Sequence, residues 1–124
     1  MVLAMKLSIF PLTLLLALQT YAYEGCDEIV NGYEASDTIY VMCDGLEGIT
    51  TYSAERLVKS IFDQYTGEMG EIFIFFINDK NYIGKTDLPS NVYVADFYTH
   101  YNQLILWPKI RNKKRLIKGL SYKD

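Results

Sequence analysis

One stretch of this chain, and one only, repeats its apolar residues at helical spacing. Ala54, Leu57, Val58, Ile61, Phe62 and Tyr65 fall on a single stripe, with Arg56, Lys59, Asp63 and Gln64 on the opposite side. Thr51 or Ser53 can cap the start, and Gly67 stands where a left-handed residue closes a helix. The spacing predicts one amphipathic helix over 53–66. Apolar residues elsewhere must find partners in strands, which narrows the fold sharply.

Upstream, residues 23–30 and 37–43 flank the turn signal Asn31-Gly32, and Ile39, Val41 and Cys43 alternate with Tyr40 and Met42. That pattern predicts an N-terminal β-hairpin. Downstream, Ile72 to Ile77 is continuously apolar and reads as a central strand covered on both faces. A short strand is expected over 82–86, and two more over 91–98 and 103–107 around Thr99-His100-Tyr101-Asn102. Pro108 stops the last of them, and 115–120 could supply one more. Hairpin, helix and strand meander together predict an α+β domain with its helix packed on one face of an antiparallel sheet.

The first 22 residues predict a different fate. Lys6 precedes the apolar run LSIFPLTLLLAL, which ends at Gln19-Thr20-Tyr21-Ala22. A lone charge, a short apolar stretch and small residues before a cut make a secretory signal peptide, cleaved between Ala22 and Tyr23. Met5 offers a second plausible start. The run is too short to span a bilayer, which takes about 20 apolar residues, and no later segment is long enough. The expected product is a secreted monomer, residues 23–124, with one core.

Two cysteines remain in it, Cys26 and Cys43. In an exported chain they predict a single disulfide, with a pair of buried free thiols as the alternative. One histidine and no Cys-x-x-Cys leave too few soft ligands for zinc, so neither metal nor cofactor is expected. Charge is laid out unevenly. Residues 23–108 carry four Lys/Arg against fourteen Asp/Glu, whereas 109–124 carry seven against one. Lys109, Arg111, Lys113, Lys114, Arg115 and Lys118 make a basic tail that either folds back on the acidic body or contacts an anion such as RNA.

Three short motifs carry a family likeness. Tyr40-Val41-Met42-Cys43-Asp44-Gly45 has an aromatic residue leading to a cysteine, Tyr52-Ser53 enters the helix at Leu57-Val58, and Tyr101-Asn102-Gln103-Leu104 marks a turn between core strands. With the helix-then-strands order, the chain resembles the small secreted fungal guanyl-specific ribonucleases. It is still more similar to the ribonuclease-like effectors secreted by powdery mildew fungi. The family's frequent C-terminal cysteine is missing, which leaves Cys26 as the partner of Cys43. The resemblance implies a microbial ribonuclease-like fold and action in plant host tissue. It further implies entry into host cells, recognition by an intracellular immune receptor, and binding of host protein or RNA.

Catalytic chemistry does not carry over. Cutting RNA through its 2'-hydroxyl takes a general base, a general acid and a cation for the developing charge, in these enzymes Glu, His and Arg. Registered without gaps on Asn102-Gln103-Leu104, the chain has Ala95 at the arginine position and Ile110 at that of the acid histidine. The strand expected to hold the glutamate, Ile72 to Ile77, has no ionisable group. The sole histidine, His100, falls in a predicted turn. The expectation is a non-catalytic effector working through protein surfaces, with an active secreted ribonuclease using His100 as the alternative. Tyr93, Phe97, Tyr98, Tyr101 and Trp107 cluster on neighbouring strands and suit sheet packing or a tyrosine-rich contact surface.

Overall fold

The computed structural model describes residues 25–26, 28–30, 38–65 and 70–122. The expected signal peptide with its cleavage site at Ala22 and Tyr23, the expected turn at Asn31-Gly32 and the expected closing residue Gly67 lie outside them. Among the described residues, six strands form one sheet in chain order. They are β1 (Glu28–Val30), β2 (Thr38–Met42), β3 (Phe73–Ile77), β4 (Tyr93–Tyr98), β5 (Gln103–Leu106) and β6 (Arg115–Lys118), with α1 (Thr51–Gln64) between β2 and β3. Among the described residues, the α+β class and one α-helix stand as read from the sequence, the helix over Thr51–Gln64 where 53–66 was expected.

β1 and β2 form the expected hairpin, Ile29 opposite Val41. Cys26 and Cys43 lie just beyond its Glu28–Met42 end, with Cα atoms 4.0 Å apart, and are joined by a disulfide. A hydrogen bond of 3.0 Å from Asp44 N to Gly25 O closes the same end. A strand of three residues contributes little by itself, so the bond does much of the holding.

The sheet is mixed, not antiparallel throughout: β2 and β3 run parallel, Ile39 opposite Ile74. The reason lies in α1. A helix of 14 residues spans about 21 Å and carries the chain back along β2, so β3 starts at the end where β2 starts. Every later pairing is antiparallel. Thr50, not Thr51 or Ser53, caps the helix, its Oγ1 accepting from Ser53 N at 3.1 Å.

Ala54, Leu57, Val58 and Ile61 press the helix onto Ile39, Val41, Ile74, Phe76, Phe97 and Leu104, all buried. Phe97 meets Phe62 and Tyr122 edge-on, with centroids 6.2 and 5.4 Å away. Tyr122 belongs to the basic tail, which is part of the fold. Its Ile117, Leu120 and Tyr122 complete the main core, and β6 extends the sheet.

The opposite face of the sheet is covered over half its extent. Residues 78–92 fold across it, burying Tyr40, Ile77, Leu88 and Val92 in a second, smaller core. Tyr40 donates its hydroxyl hydrogen to Lys85 O (2.9 Å), and Asn78 Nδ2 and Lys109 Nζ reach Asn91 O (2.9 Å) and Leu88 O (2.6 Å). The strand expected over 82–86 does not form. Asp79 caps a 3-10 turn, Lys80–Tyr82, by accepting from Asn81 N, and Gly84 takes φ +87°. Left-handed backbone at a glycine turns the chain where a strand would continue. β3 is covered on both sides only toward its end. Ile74 and Phe76 face the helix; on the other face Ile77 is buried in the second core and Phe75 half-buried against it, while Phe73 is 39% exposed.

Candidate binding site on the open sheet face

A bulge creates the site. β3 and β4 shift register between Phe76 and Ile77, so that Phe76 opposes Ala95 while Ile77 opposes Tyr93. The extra residue, Val94, sends itself and Ala95 both into the main core. Strict alternation would have placed Tyr93 and Asp96 on opposite faces; the bulge brings them onto the same one. There Tyr93 donates its hydroxyl hydrogen to Asp96 Oδ2 in a short hydrogen bond.

Asp96 lines a cleft of about 340 Å³ with Phe73, Tyr98, Tyr101, Gln103 and Ile105. These residues come from β3, β4, β5 and the turn between the last two. Phe73 and Tyr98, paired across β3 and β4, stack with centroids 4.0 Å apart and rings 3° from parallel. Tyr101, 66% exposed, stands at 75° to Tyr98 at 5.3 Å. Its place is set by the four-residue connection between the strands, where Tyr101 N and Asn102 N both donate to Tyr98 O and Asn102 takes φ +52°.

The same connection is pinned to the start of β3. Thr99 N donates to Ile72 O at 3.1 Å, and Ile72 N donates to Thr99 Oγ1 at 2.9 Å. Their neighbours Glu71 and His100 are thereby brought side by side, with His100 Nδ1 3.5 Å from Glu71 Oε2. Tyr98 donates its hydroxyl hydrogen to Glu71 Oε1 at 2.9 Å. His100 does occupy a turn, as expected, yet it has a carboxylate neighbour that sequence spacing did not single out. Both side chains are more than half exposed.

Electrostatics mark Asp96 as the costly group. Burial raises its carboxyl above the usual aspartate range, against the opposing pull of the Tyr93 hydrogen bond and, more weakly, of Lys114. Burial and the bond to Asp96 also hold the Tyr93 phenol protonated. A carboxyl whose folded pKa is raised binds its proton more readily in the folded chain than in the unfolded one. Its contribution to stability is therefore largest below the unfolded value and falls as pH rises through the window up to the folded one. Asp96→Asn keeps an acceptor for Tyr93. It should match or exceed wild-type stability at neutral pH and lose this component of the slope. Urea midpoints of both proteins across the carboxylate range check this: the wild-type-minus-variant difference should become less favourable as pH rises, and a difference rising with pH contradicts it.

The positions singled out for catalysis do not face the cleft. Ala95 is fully buried beneath the helix, and Ile110 is half-buried against the same core. The tail cations are not gathered there either. Arg115 Nη2 donates to Ile49 O at 2.6 Å. Lys113 sits 4.2 Å above the Trp107 ring and 3.6 Å from Glu47, to which Trp107 Nε1 donates at 2.9 Å. Lys109 lies 3.8 Å from Asp87, and Arg111, Lys114 and Lys118 are exposed. Of the aromatic cluster expected on these strands, Tyr98 and Tyr101 line the open cleft, and Tyr93 is half-buried against the smaller core on the same face. Phe97 is core, and Trp107 is held in the contact with the tail.

Phe73 and Asp96 escape the sequence reading as site residues, Gln103 reads only as part of a turn motif, and the spacing of Glu71 specifies no partner for it. A signal for Asp96 was present: β2 through β5 contain no other Asp, Glu, Lys, Arg or His. No protein-family model matches the chain, and comparison with curated proteins and with solved structures finds no match. No helix among the described residues is long and apolar enough to cross a membrane.

Proposed function

We propose that this chain is a secreted, non-catalytic ribonuclease-like effector of a plant-infecting fungus, acting in host tissue by binding protein through the open half of its sheet. The observation that carries this reading is the aromatic cleft itself. Phe73 and Tyr101 are exposed and Tyr98 half-buried between them, a cluster of the aromatic residues favoured at interface centres. The apolar groups at Ala95 and Ile110, both turned to the core, support a surface without the phosphate-stabilising chemistry of the ribonucleases. Entry into host cells and recognition by an intracellular immune receptor belong to the same proposal and rest on the sequence resemblance.

One observation favours a second reading. His100 beside Glu71 at the rim of the cleft is an acid–base pair of the kind an active secreted ribonuclease would use. A third, in which the basic tail alone grips RNA or lipid, is disfavoured by the contacts that tie Lys109, Lys113 and Arg115 to the body.

Partner capture in infected leaf tissue tests the main proposal, using the full chain and a Tyr98→Ala/Tyr101→Ala variant. A host protein retained by the wild type and lost with the variant, which still unfolds cooperatively above the assay temperature, is the expected result. Equal retention by both overturns it.

A further inference from the structure

We infer that the open cleft is a guanidinium-binding site, which takes an arginine side chain presented by a partner protein. The inference rests on the protein-binding reading above and gives that surface its chemistry. Three features point the same way.

First, the lining carries a carboxylate and no cation. Asp96 gives one oxygen, Oδ2, to Tyr93 and has its other, Oδ1, without a hydrogen bond or ion pair among the described residues. Keeping this carboxylate half-buried raises its pKa, a cost that a cationic ligand would offset. Second, the walls are aromatic. Tyr101 offers an exposed ring, and the stacked Phe73–Tyr98 pair stands beside it. A guanidinium is planar and weakly hydrated, so it lies flat on such a ring while its N–H fork reaches a carboxylate; an ammonium approaches either as a compact, strongly hydrated point charge. Third, Gln103 supplies an amide within the same cleft, whose oxygen can accept from a remaining N–H.

The surrounding charges are mixed. Glu71 is joined to the Tyr98 hydroxyl. Lys118 pairs with Gln103 across β5 and β6 and so shares its face of the sheet, and Lys114 acts on Asp96 as the weakest of three influences. Neither lysine lines the cleft. His100 is beside Glu71 at the rim. A phosphate-bearing ligand would meet the Asp96 carboxylate at the centre of the cleft, whereas an arginine meets its complement.

The test titrates the purified, isotope-labelled protein with acetyl-Gly-Arg-Gly-amide, following backbone amide resonances. Its counterparts are the same peptide with citrulline, which keeps the shape and loses the charge, and a short single-stranded oligonucleotide. Saturable shifts at Asp96, Tyr98, Tyr101 and Gln103 are expected with the arginine peptide. Affinity should be lower by at least about tenfold for citrulline and for Asp96→Asn, which retains an acceptor for Tyr93. Tyr101→Ala, at an exposed position, should weaken binding without altering the fold. Equal affinity for citrulline, full binding by Asp96→Asn, or tighter binding of the oligonucleotide at the same residues overturns the inference. If the peptide fails while capture of a host protein still depends on Tyr98 and Tyr101, only the guanidinium assignment falls. Loss of that capture dependence removes the protein-binding reading beneath it.

Discussion

Ending the chain at Pro108 should abolish cooperative unfolding altogether. The excised segment looks like a charged appendage in sequence, but it supplies Ile117, Leu120 and Tyr122 to the main core and β6 to the sheet. Each buried apolar side chain is worth roughly 1.5–3 kcal/mol, against a total stability of about 5–15 kcal/mol for a domain. Removing β6 also turns β5 into an exposed edge and strips Phe97 of its contact with Tyr122. Circular dichroism through a urea titration would register a broad, non-cooperative change in place of a sigmoid. Neutralising Lys114 and Lys118 individually should instead move stability by no more than about 0.5 kcal/mol, since both are exposed. A truncated chain that still unfolds as sharply as the full one would mean that the tail is merely solvated.

Replacing Cys26 and Cys43 together by alanine is expected to cost about 3 kcal/mol, the chain-entropy value for a loop of this length. For a domain of about 100 residues that lowers the melting temperature by roughly 12–24 °C. The effect should be large because β1, with three residues, pairs with β2 alone, at the edge of the sheet. Both cysteines are buried and Cys43 packs in the main core, so alanine also removes sulfur contacts. Calorimetry of the wild type with and without reductant, beside the double variant, measures the term. A loss below about 1 kcal/mol would show that strand pairing holds the hairpin unaided.

What could be read from the residues was whatever depends on local spacing. The α1 stripe is legible because Ala54, Leu57, Val58 and Ile61 obey one period over about two turns. The hairpin is legible because alternation in β2 agrees with two cysteines placed to staple its end. The parallel join of β2 to β3 is not, since direction comes from the path of the helix and leaves no mark on either strand. A run such as Ile72 to Ile77 is apolar at every position, so it cannot tell a strand covered twice from one with an exposed aromatic face. β3 turned out to be both: covered twice at Ile77 and, less fully, at Phe75, and open at Phe73. The site was hidden by the bulge at Val94, which costs one residue of register and reverses the face of everything before it. His100 and Glu71 meet through two hydrogen bonds between Thr99 and Ile72, 27 residues apart, a closure no motif encodes.

The proposal that this outline has kept a ribonuclease-like shape and lost its chemistry is tested most directly by incubating the purified protein with single-stranded RNA and following chain length by electrophoresis. The account predicts RNA as intact as in buffer, with the same result for His100→Ala and Glu71→Gln. Cleavage by the wild type that disappears with either substitution would contradict it.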